Sequence, residues 1–229
     1  INSLTDPKIR DFRGDPKLEF TTNNKLLIAS LLYNPNEVIT GGIYEEKSPK
    51  SIPPSFFQSY VQPIPQNLSP EVWIIFDYEK IAVDKDISSP FFGSTYMSVN
   101  GMKLSSDPIR GGTGLVTIKP NGEIIEKLTA DVGLYQPPNS LLVGKGGILY
   151  AGRWNPGENM KVHYSLDGGE TFLESELPDS NSIIDRWCGG RISSTSSRSW
   201  SIYYGPELAQ DANTGRLYAA WVKFKECRL

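Results

Sequence analysis

The sequence predicts an all-β fold built from repeated antiparallel hairpins. Apolar strands followed by Gly, Asn or Asp turns occur at four places in the chain. No segment has the sustained 3.6-residue periodicity that is typical of a helix. The composition agrees: the 229 residues include 21 Gly, 17 Pro and 11% aromatic residues but only 21% charged residues, which suits a turn-rich β protein. We expect one domain over residues 1–229.

The four hairpins are similar to one another, each having an apolar strand, a turn and a second apolar strand. In chain order they cover residues 15–29, 80–98, 138–151 and 206–221. The equivalent positions in their second strands are Leu27, Tyr96, Tyr150 and Tyr218. They recur about every 60 residues, which is longer than the repeat of compact propellers. A hairpin cannot bury both of its faces alone, so repeated hairpins are expected to stack as the sheets, or blades, of a β-propeller.

The most specific local pattern follows the alternating run at residues 160–164 and reads Ser-Leu-Asp-Gly-Gly-Glu-Thr-Phe. Its defining positions are Ser165, Asp167, Gly168, Gly169, Thr171 and Phe172. The serine and aspartate are expected to bind turn amides, the glycines to take positive φ, and the phenylalanine to pack inward. The pattern resembles the Asp-box (BNR repeat) of sialidase-like β-propellers, where it is structural and lies at the blade periphery. Residues 117–125 keep an Asn-Gly turn without the serine and aspartate, as a degenerate copy would.

Two further segments extend this resemblance over most of residues 71–221. Residues 79–96 are similar to the D-K-x-x-I-A-V-D…S-P-F-x-G-x-V-Y pattern of many secreted sialidase-like proteins, and residues 215–221 match another recurring phrase of that group. The resemblance implies four-stranded antiparallel blades, about six in a complete ring, of which this chain covers three to four. We therefore expect part of a larger propeller or one completed by partner chains; a four-bladed ring is the less favoured alternative.

The proline-rich residues 48–70 are expected to be an irregular insertion between blades.

Charge and hydropathy exclude some classes of function. A formal net charge of -3 and a pI near 5.3 provide no electrostatic footprint for nucleic acid. No run of apolar residues has the length of a transmembrane segment. Because the sequence begins with Ile1, we expect a processed form or a fragment, and the resemblance implies an extracellular, cell-surface or periplasmic location. Cys188 and Cys227 are the only cysteines, and both a disulfide and two free thiols remain open.

Sialidases use three arginines, an Asp acid/base and a Tyr nucleophile with a Glu partner, and this set cannot be assigned here. Arg10 and Arg13 lack the Ile-Pro that follows the first arginine in the family. Tyr203 and Tyr204 near Glu207 are interpreted as core residues rather than as a nucleophile pair. The catalytic residues therefore stay unknown.

The other polar residues are interpreted as structural. Asp84 and Asp211 end equivalent first strands, which favours a repeated role in turns. His163, the only histidine, is interpreted as an ordinary strand residue, and a single histidine excludes a multi-histidine metal site. No metal site and no cofactor are expected; loop Asp and carbonyl oxygens are compatible with Ca²⁺, but no EF-hand spacing supports it.

Two Arg-Trp pairs are the candidates for ligand binding. They are Arg153 with Trp154 and Arg186 with Trp187, each near a predicted loop. Tryptophan faces stack on sugars while polar groups bind hydroxyls; the alternative for Trp154 is blade packing. We expect a glycan- or protein-binding module that binds no nucleic acid. The alternatives are an exo-sialidase-type glycoside hydrolase and a structural subunit of a surface layer or filament.

Overall fold

The structure, a computed structural model, shows an all-β protein. It describes residues 11–12, 17–33, 40–46, 56–61, 73–103, 113–128, 138–153, 159–180 and 205–221. In these ranges the only helical element is a short 3-10 turn, Lys145–Gly147. No helix in them is long and apolar enough to cross a bilayer. The expected fold class is confirmed at this level.

Among the described residues the strands form four antiparallel sheets, one of five strands, two of four strands and one of two strands. The first sheet contains β1 (Asp11–Phe12), β2 (Lys17–Phe20), β3 (Leu26–Tyr33), β4 (Thr40–Glu46) and β5 (Phe56–Val61). The second sheet contains β6 (Trp73–Val83), β7 (Thr95–Lys103), β8 (Thr113–Ile118) and β9 (Ile124–Leu128). The third sheet contains β10 (Ser140–Val143), β11 (Leu149–Arg153), β12 (Lys161–Ser165) and β13 (Leu173–Glu176). In the described residues, the fourth sheet contains β14 (Glu207–Gln210) and β15 (Leu217–Ala220).

All of these sheets have an up-and-down order, in which every strand except β1 pairs with the next strand of its sheet in the chain. In the first sheet, β1 and β2 both pair with β3 and together take the place of one interrupted strand. The second and third sheets are regular four-stranded meanders. The predicted four-stranded antiparallel unit is therefore present.

The four predicted hairpins are confirmed, and their registers coincide. The second cross-strand pair from each turn contains, in order, Leu27, Tyr96, Tyr150 and Tyr218. One backbone hydrogen bond closes each turn at the same place. In each turn the backbone N–H of the first residue donates to the backbone C=O of the second, with N···O distances of 2.8–3.0 Å. The pairs are Thr21 with Lys25, Asp84 with Ser94, Gly144 with Ile148, and Asp211 with Arg216. These turns, together with the β8–β9 and β12–β13 turns, lie at one end of the sheets, which we call the turn end; the opposite end is the connection end.

Neighbouring sheets stack along their first strands in chain order, since β2 contacts β6, β6 contacts β10 and β10 contacts β14. We call the side of a sheet turned toward the preceding sheet its leading face, defined in the third sheet by Leu141, Val143 and Leu149. The opposite side is the trailing face, defined in the second sheet by Tyr96 and Leu115. These five side chains form an apolar core between the two sheets.

One expectation about the chain between the first two hairpins is wrong in part. Residues 56–61, inside the stretch 48–70, are not irregular but form β5, which pairs with β4 in the first sheet. The physical reason is that these six residues contain no proline and are rich in aromatic and β-branched types, while the prolines stand on either side. The rest of the stretch lies outside the described residues.

Candidate functional site

The turn between β12 and β13 is held by its own side chains, as its sequence predicts. The Ser165 hydroxyl donates to Asp167 Oδ1 at 2.7 Å and accepts from the Gly169 amide at 2.8 Å. Gly168 and Gly169 have φ of 72° and 91°, conformations that favour glycine. The serine and the two glycines therefore have the structural roles expected for them.

Asp167 closes the second half of this turn. Its Oδ1 accepts from the Thr171 amide at 2.9 Å, and its Oδ2 accepts from the Thr171 hydroxyl at 2.6 Å. Burial raises the pKa of Asp167, but the hydrogen bonds from Thr171 and Ser165 outweigh it and hold the pKa below its ordinary value. A carboxylate engaged in this way is a structural acceptor rather than an acid or a nucleophile.

The same turn joins the third sheet to the second. Phe172 packs inward against the core between these sheets, as predicted. A Cβ atom at Gly169 would lie 3.0 Å from Leu115 Cδ2, so a glycine lets the turn approach the second sheet closely. A second link between the same two sheets is the ion pair between Lys127 of β9 and Glu170 of the turn.

Asp84 is the buried centre of the turn between β6 and β7. Its carboxylate is fully buried, accepting from the Ser89 hydroxyl at 2.5 Å and from the Asp86 amide at 3.0 Å. Gly147 of the third sheet lies over it, and a Cβ there would collide with Ser89 Oγ and come within 2.8 Å of Asp84 Oδ2. Asp84 therefore has the turn role predicted for it.

Asp211 has the same role in the fourth sheet. Its Oδ1 accepts from the amides of Asn213 at 2.8 Å and Thr214 at 3.3 Å. Hydrogen bonds from Thr214 and then Asn213 lower the pKa of Asp211.

Polar contacts at the turn end link each sheet to the next. Their partners, in order along the series, are Lys85 Nζ with Glu19 Oε1 at 2.5 Å, the Gly146 amide with Asp86 Oδ2 at 2.6 Å, and the Lys145 amide with Gln210 Oε1 at 2.5 Å. Hydrogen bonds from Gly146 and Ser88 lower the pKa of Asp86 to about 2. The described carboxylates at this end thus already bind donors of the chain itself.

Arg153 lies at the connection end, as the last residue of β11. It is only 7% exposed and faces the second sheet from the leading face of the third. A ligand at the surface has little access to it here, so the structure favours a packing role between sheets. The other three candidates for binding, Trp154, Arg186 and Trp187, lie outside the described residues.

His163 belongs to β12, as expected, but it is more deeply buried than an ordinary strand residue. It is 1% exposed and neither ring nitrogen has a hydrogen-bond partner. Burial lowers its pKa to about 4; the positive charges of Arg153 and Lys161 act in the same direction, and the negative charge of Glu174 opposes them. The imidazole is therefore neutral at neutral pH.

Sequence reasoning missed several residues that the structure brings together. Asp86 and Ser89 follow Asp84 in the spacing of Asx and Ser/Thr turns, a local signal that was present in the sequence. Tyr96 and Ser98 are buried on the trailing face of the second sheet, and no local signal marks them as polar groups inside an interface. Burial and the charge of Asp84 raise the pKa of Tyr96 to about 12, so it is neutral and unsuited to nucleophilic attack.

Several other residues considered in the sequence analysis lie outside the described residues. Cys188, Cys227, Tyr203 and Tyr204 all lie outside them, as do Arg10 and Arg13. In the ranges that the structure describes, no three His, Cys, Asp or Glu side chains are grouped so as to hold a metal ion. No protein-family model matches the chain, and comparison with curated proteins and with solved structures likewise yields no match.

Proposed function

We propose that the sheets are blades of a β-propeller of the Asp-box type. Three features support this proposal: the common up-and-down order of the sheets, the contact of their first strands in chain order, and the Ser165–Asp167–Thr171 network in an outer turn. In a propeller, each blade is an up-and-down sheet that buries its two faces against the preceding and the following blade.

The proposed function is binding of a glycan or a protein at the connection end of the blades, outside the cytoplasm. The observation that carries it is the difference between the two ends. At the turn end, connections as short as residues 144–148 are tied to the neighbouring sheets. The longest stretch between consecutive described strands is residues 84–94 at the turn end and residues 177–206 at the connection end. Long loops carried by a rigid scaffold are the usual place of binding residues.

A carbohydrate is the ligand that best fits the sequence of these connections. Trp154 directly follows β11 at this end, and Arg186 and Trp187 stand within residues 177–206. Indole faces stack on the apolar faces of sugars, and a guanidinium binds hydroxyl or carboxylate oxygens. Arg153, being buried, would support the strand end that carries Trp154.

The experiment is to measure binding of the whole chain to a panel of immobilised sialylated and neutral oligosaccharides. Trp154→Ala and Trp187→Ala are expected to weaken binding at least about tenfold, as loss of an aromatic anchor does. Phe92→Ala is the matched control, because Phe92 is a partly exposed aromatic residue at the turn end; it should bind like the wild type.

Two results would contradict the proposal. One is equal weakening by Phe92→Ala, which would move the binding surface to the turn end. The other is the absence of binding to every oligosaccharide and to every protein of an extracellular panel. Hydrolysis of a fluorogenic sialoside in the same samples would instead identify a glycoside hydrolase.

A further inference from the structure

The sequence contains two Asn-Gly dipeptides, and the structure places them in different surroundings. Asn100–Gly101 lies inside β7, whereas Asn121–Gly122 lies in the turn between β8 and β9. An asparagine followed by glycine is prone to spontaneous loss of its side-chain amide, because glycine has no side chain to hinder attack by its backbone nitrogen. The surroundings therefore decide which of the two dipeptides can react.

The strand holds Asn100–Gly101 in an unreactive geometry. Asn100 is paired with Asp77 of β6 and with Thr113 of β8. Gly101 is paired with Phe76 of β6. The reaction closes a succinimide ring through the asparagine side chain and the next backbone nitrogen, and this ring is incompatible with the extended ψ of a strand. β7 would have to separate from its neighbours before the ring could close.

The β8–β9 turn leaves the second dipeptide open. Asn121 and Gly122 are both exposed, Gly122 has a φ of 84°, and nothing lies within 4 Å of the place that a Cβ of residue 122 would take. The Gly122 N–H donates to the Lys119 C=O at 2.9 Å, and this exposed hydrogen bond has to open before the nitrogen can attack. The Lys119 N–H donates to the Glu123 C=O at 2.8 Å and keeps the ends of the turn together meanwhile.

The side chain of Asn121 is already polarised for such an attack. Its Oδ1 accepts a hydrogen bond from the backbone N–H of Glu123 at 3.0 Å. As the Gly122 nitrogen adds to Asn121 Cγ, negative charge develops on this oxygen, and a donor already in place stabilises it. The turn thus combines an unhindered nucleophile with an activated electrophile.

The Asp-Gly dipeptide in the β12–β13 turn provides a contrast within the same molecule. Hydrogen bonds from Ser165 and Thr171 hold Asp167 as a carboxylate, which is a poor electrophile. Gly168 is packed closely, since a Cβ there would lie 2.8 Å from the ring of Phe91. We therefore expect no ring closure at Asp167.

We propose that Asn121–Gly122 is a site of spontaneous deamidation, with water as the co-reactant. The Gly122 nitrogen forms a bond to Asn121 Cγ, the bond from Cγ to the amide nitrogen breaks, and ammonia leaves with the proton that the Gly122 amide gives up. Water then opens the succinimide at either carbonyl and leaves an aspartate or an isoaspartate at position 121. Both products add a negative charge to the turn. Isoaspartate also adds a carbon to the backbone and so disturbs the β8–β9 register.

The experiment is to incubate the whole folded chain in mildly alkaline buffer and to locate deamidation by peptide mapping with mass spectrometry. Asn121 should acquire the mass change of an amide turned into an acid, in aspartate and isoaspartate forms. Asn100 should react at least about tenfold more slowly, because a central strand opens with a higher free energy than a turn. Asn213 is the internal control: it is exposed in a turn but followed by Thr214, and it should stay intact.

Incubation of the same chain in guanidinium chloride separates the effect of sequence from that of structure. Both dipeptides are free in the unfolded chain, so Asn100 should then react about as fast as Asn121. Asn121→Gln is the matched variant, because it keeps the amide but lengthens the side chain beyond the reach of the succinimide ring. It should lose the modification in the folded chain and keep the circular dichroism spectrum of the wild type.

Two results would overturn the proposal. One is an intact Asn121 in the folded chain under conditions in which the unfolded chain reacts, which would show that the turn protects it. The other is reaction of Asn100 or Asn213 in the folded chain at the rate of Asn121 or faster. The reaction requires no ligand, so deamidation and the proposed glycan binding can fail independently.

Discussion

Acid should destabilise this protein through one side chain, His163. The imidazole is 1% exposed on the leading face of the third sheet, opposite Ala151, and neither nitrogen has a hydrogen-bond partner. The charged groups that face it from its own sheet are Arg153 of β11, Lys161 of β12 and Glu174 of β13. The Glu174 carboxylate is the only negative group of these three, and its Oε2 lies 4.0 Å from His163 Nε2. A proton on the ring would therefore be buried beside two positive charges.

The sign and size of the effect follow from the two pKa values. The folded-state pKa is about 4, and an exposed histidine in the unfolded chain titrates near 6.5. Above about pH 6.5 the ring is neutral in both states and has no effect. As the pH falls toward 4, the unfolded chain gains a proton that the folded chain cannot accept, so the free energy of unfolding falls. The full loss, reached below about pH 4, is about 3 kcal/mol.

The substitution His163→Leu removes the titrating imidazole and puts an apolar side chain of similar size in its place. We expect urea unfolding, followed by tryptophan fluorescence, to give similar stabilities for the two proteins at neutral pH, since the lost nitrogens have no partners. Toward pH 4 the wild type should lose up to about 3 kcal/mol more than the variant. Glu174→Gln should enlarge the loss by lowering the pKa of His163 further. Parallel pH profiles for wild type and His163→Leu would refute the reasoning, as would an NMR titration of this single histidine near 6.5.

Two other predictions concern the turns. Gly147→Ala and Gly122→Ala both place a side chain at positive φ, which should lower the free energy of unfolding by about 1–2 kcal/mol. Only the Cβ at position 147 also collides with Ser89. In urea unfolding, Gly147→Ala should therefore lose about 1–3 kcal/mol more than Gly122→Ala. Equal losses would argue against the close contact of the second and third sheets. Asp167→Ala removes three hydrogen bonds and should cost about 1–3 kcal/mol. Glu170→Ala, which removes an exposed ion pair, should cost less than about 1 kcal/mol, and the reverse order would contradict the role given to Asp167.

Local chemistry was sufficient to predict the hairpins and the hydrogen bonds of the turn between β12 and β13. In the Ser165–Asp167 turn the donors and acceptors lie within a few residues of one another, so the sequence alone specifies the hydrogen bonds. The equivalence of Leu27 with Tyr96 held because turn residues fix the register of a hairpin. Proline-rich surroundings hid β5, whose own residues are ordinary strand formers.

Contacts between sheets could not be predicted in this way. His163 is 1% exposed, and nothing in the alternating pattern of β12 distinguishes it from a strand residue at the surface. Whether a ligand can reach Arg153 likewise depends on whether a neighbouring sheet covers the face of β11 that carries this side chain. An alternating pattern predicts which residues share a face but does not say what covers that face.

The two aspartates that end equivalent strands show how much a neighbouring sheet decides. Asp84 and Asp211 close their turns with the same backbone hydrogen bond, and each carboxylate caps amides of its own turn. Yet Asp84 is fully buried, because Gly147 of the following sheet covers it, whereas Asp211 is only partly buried among the described residues.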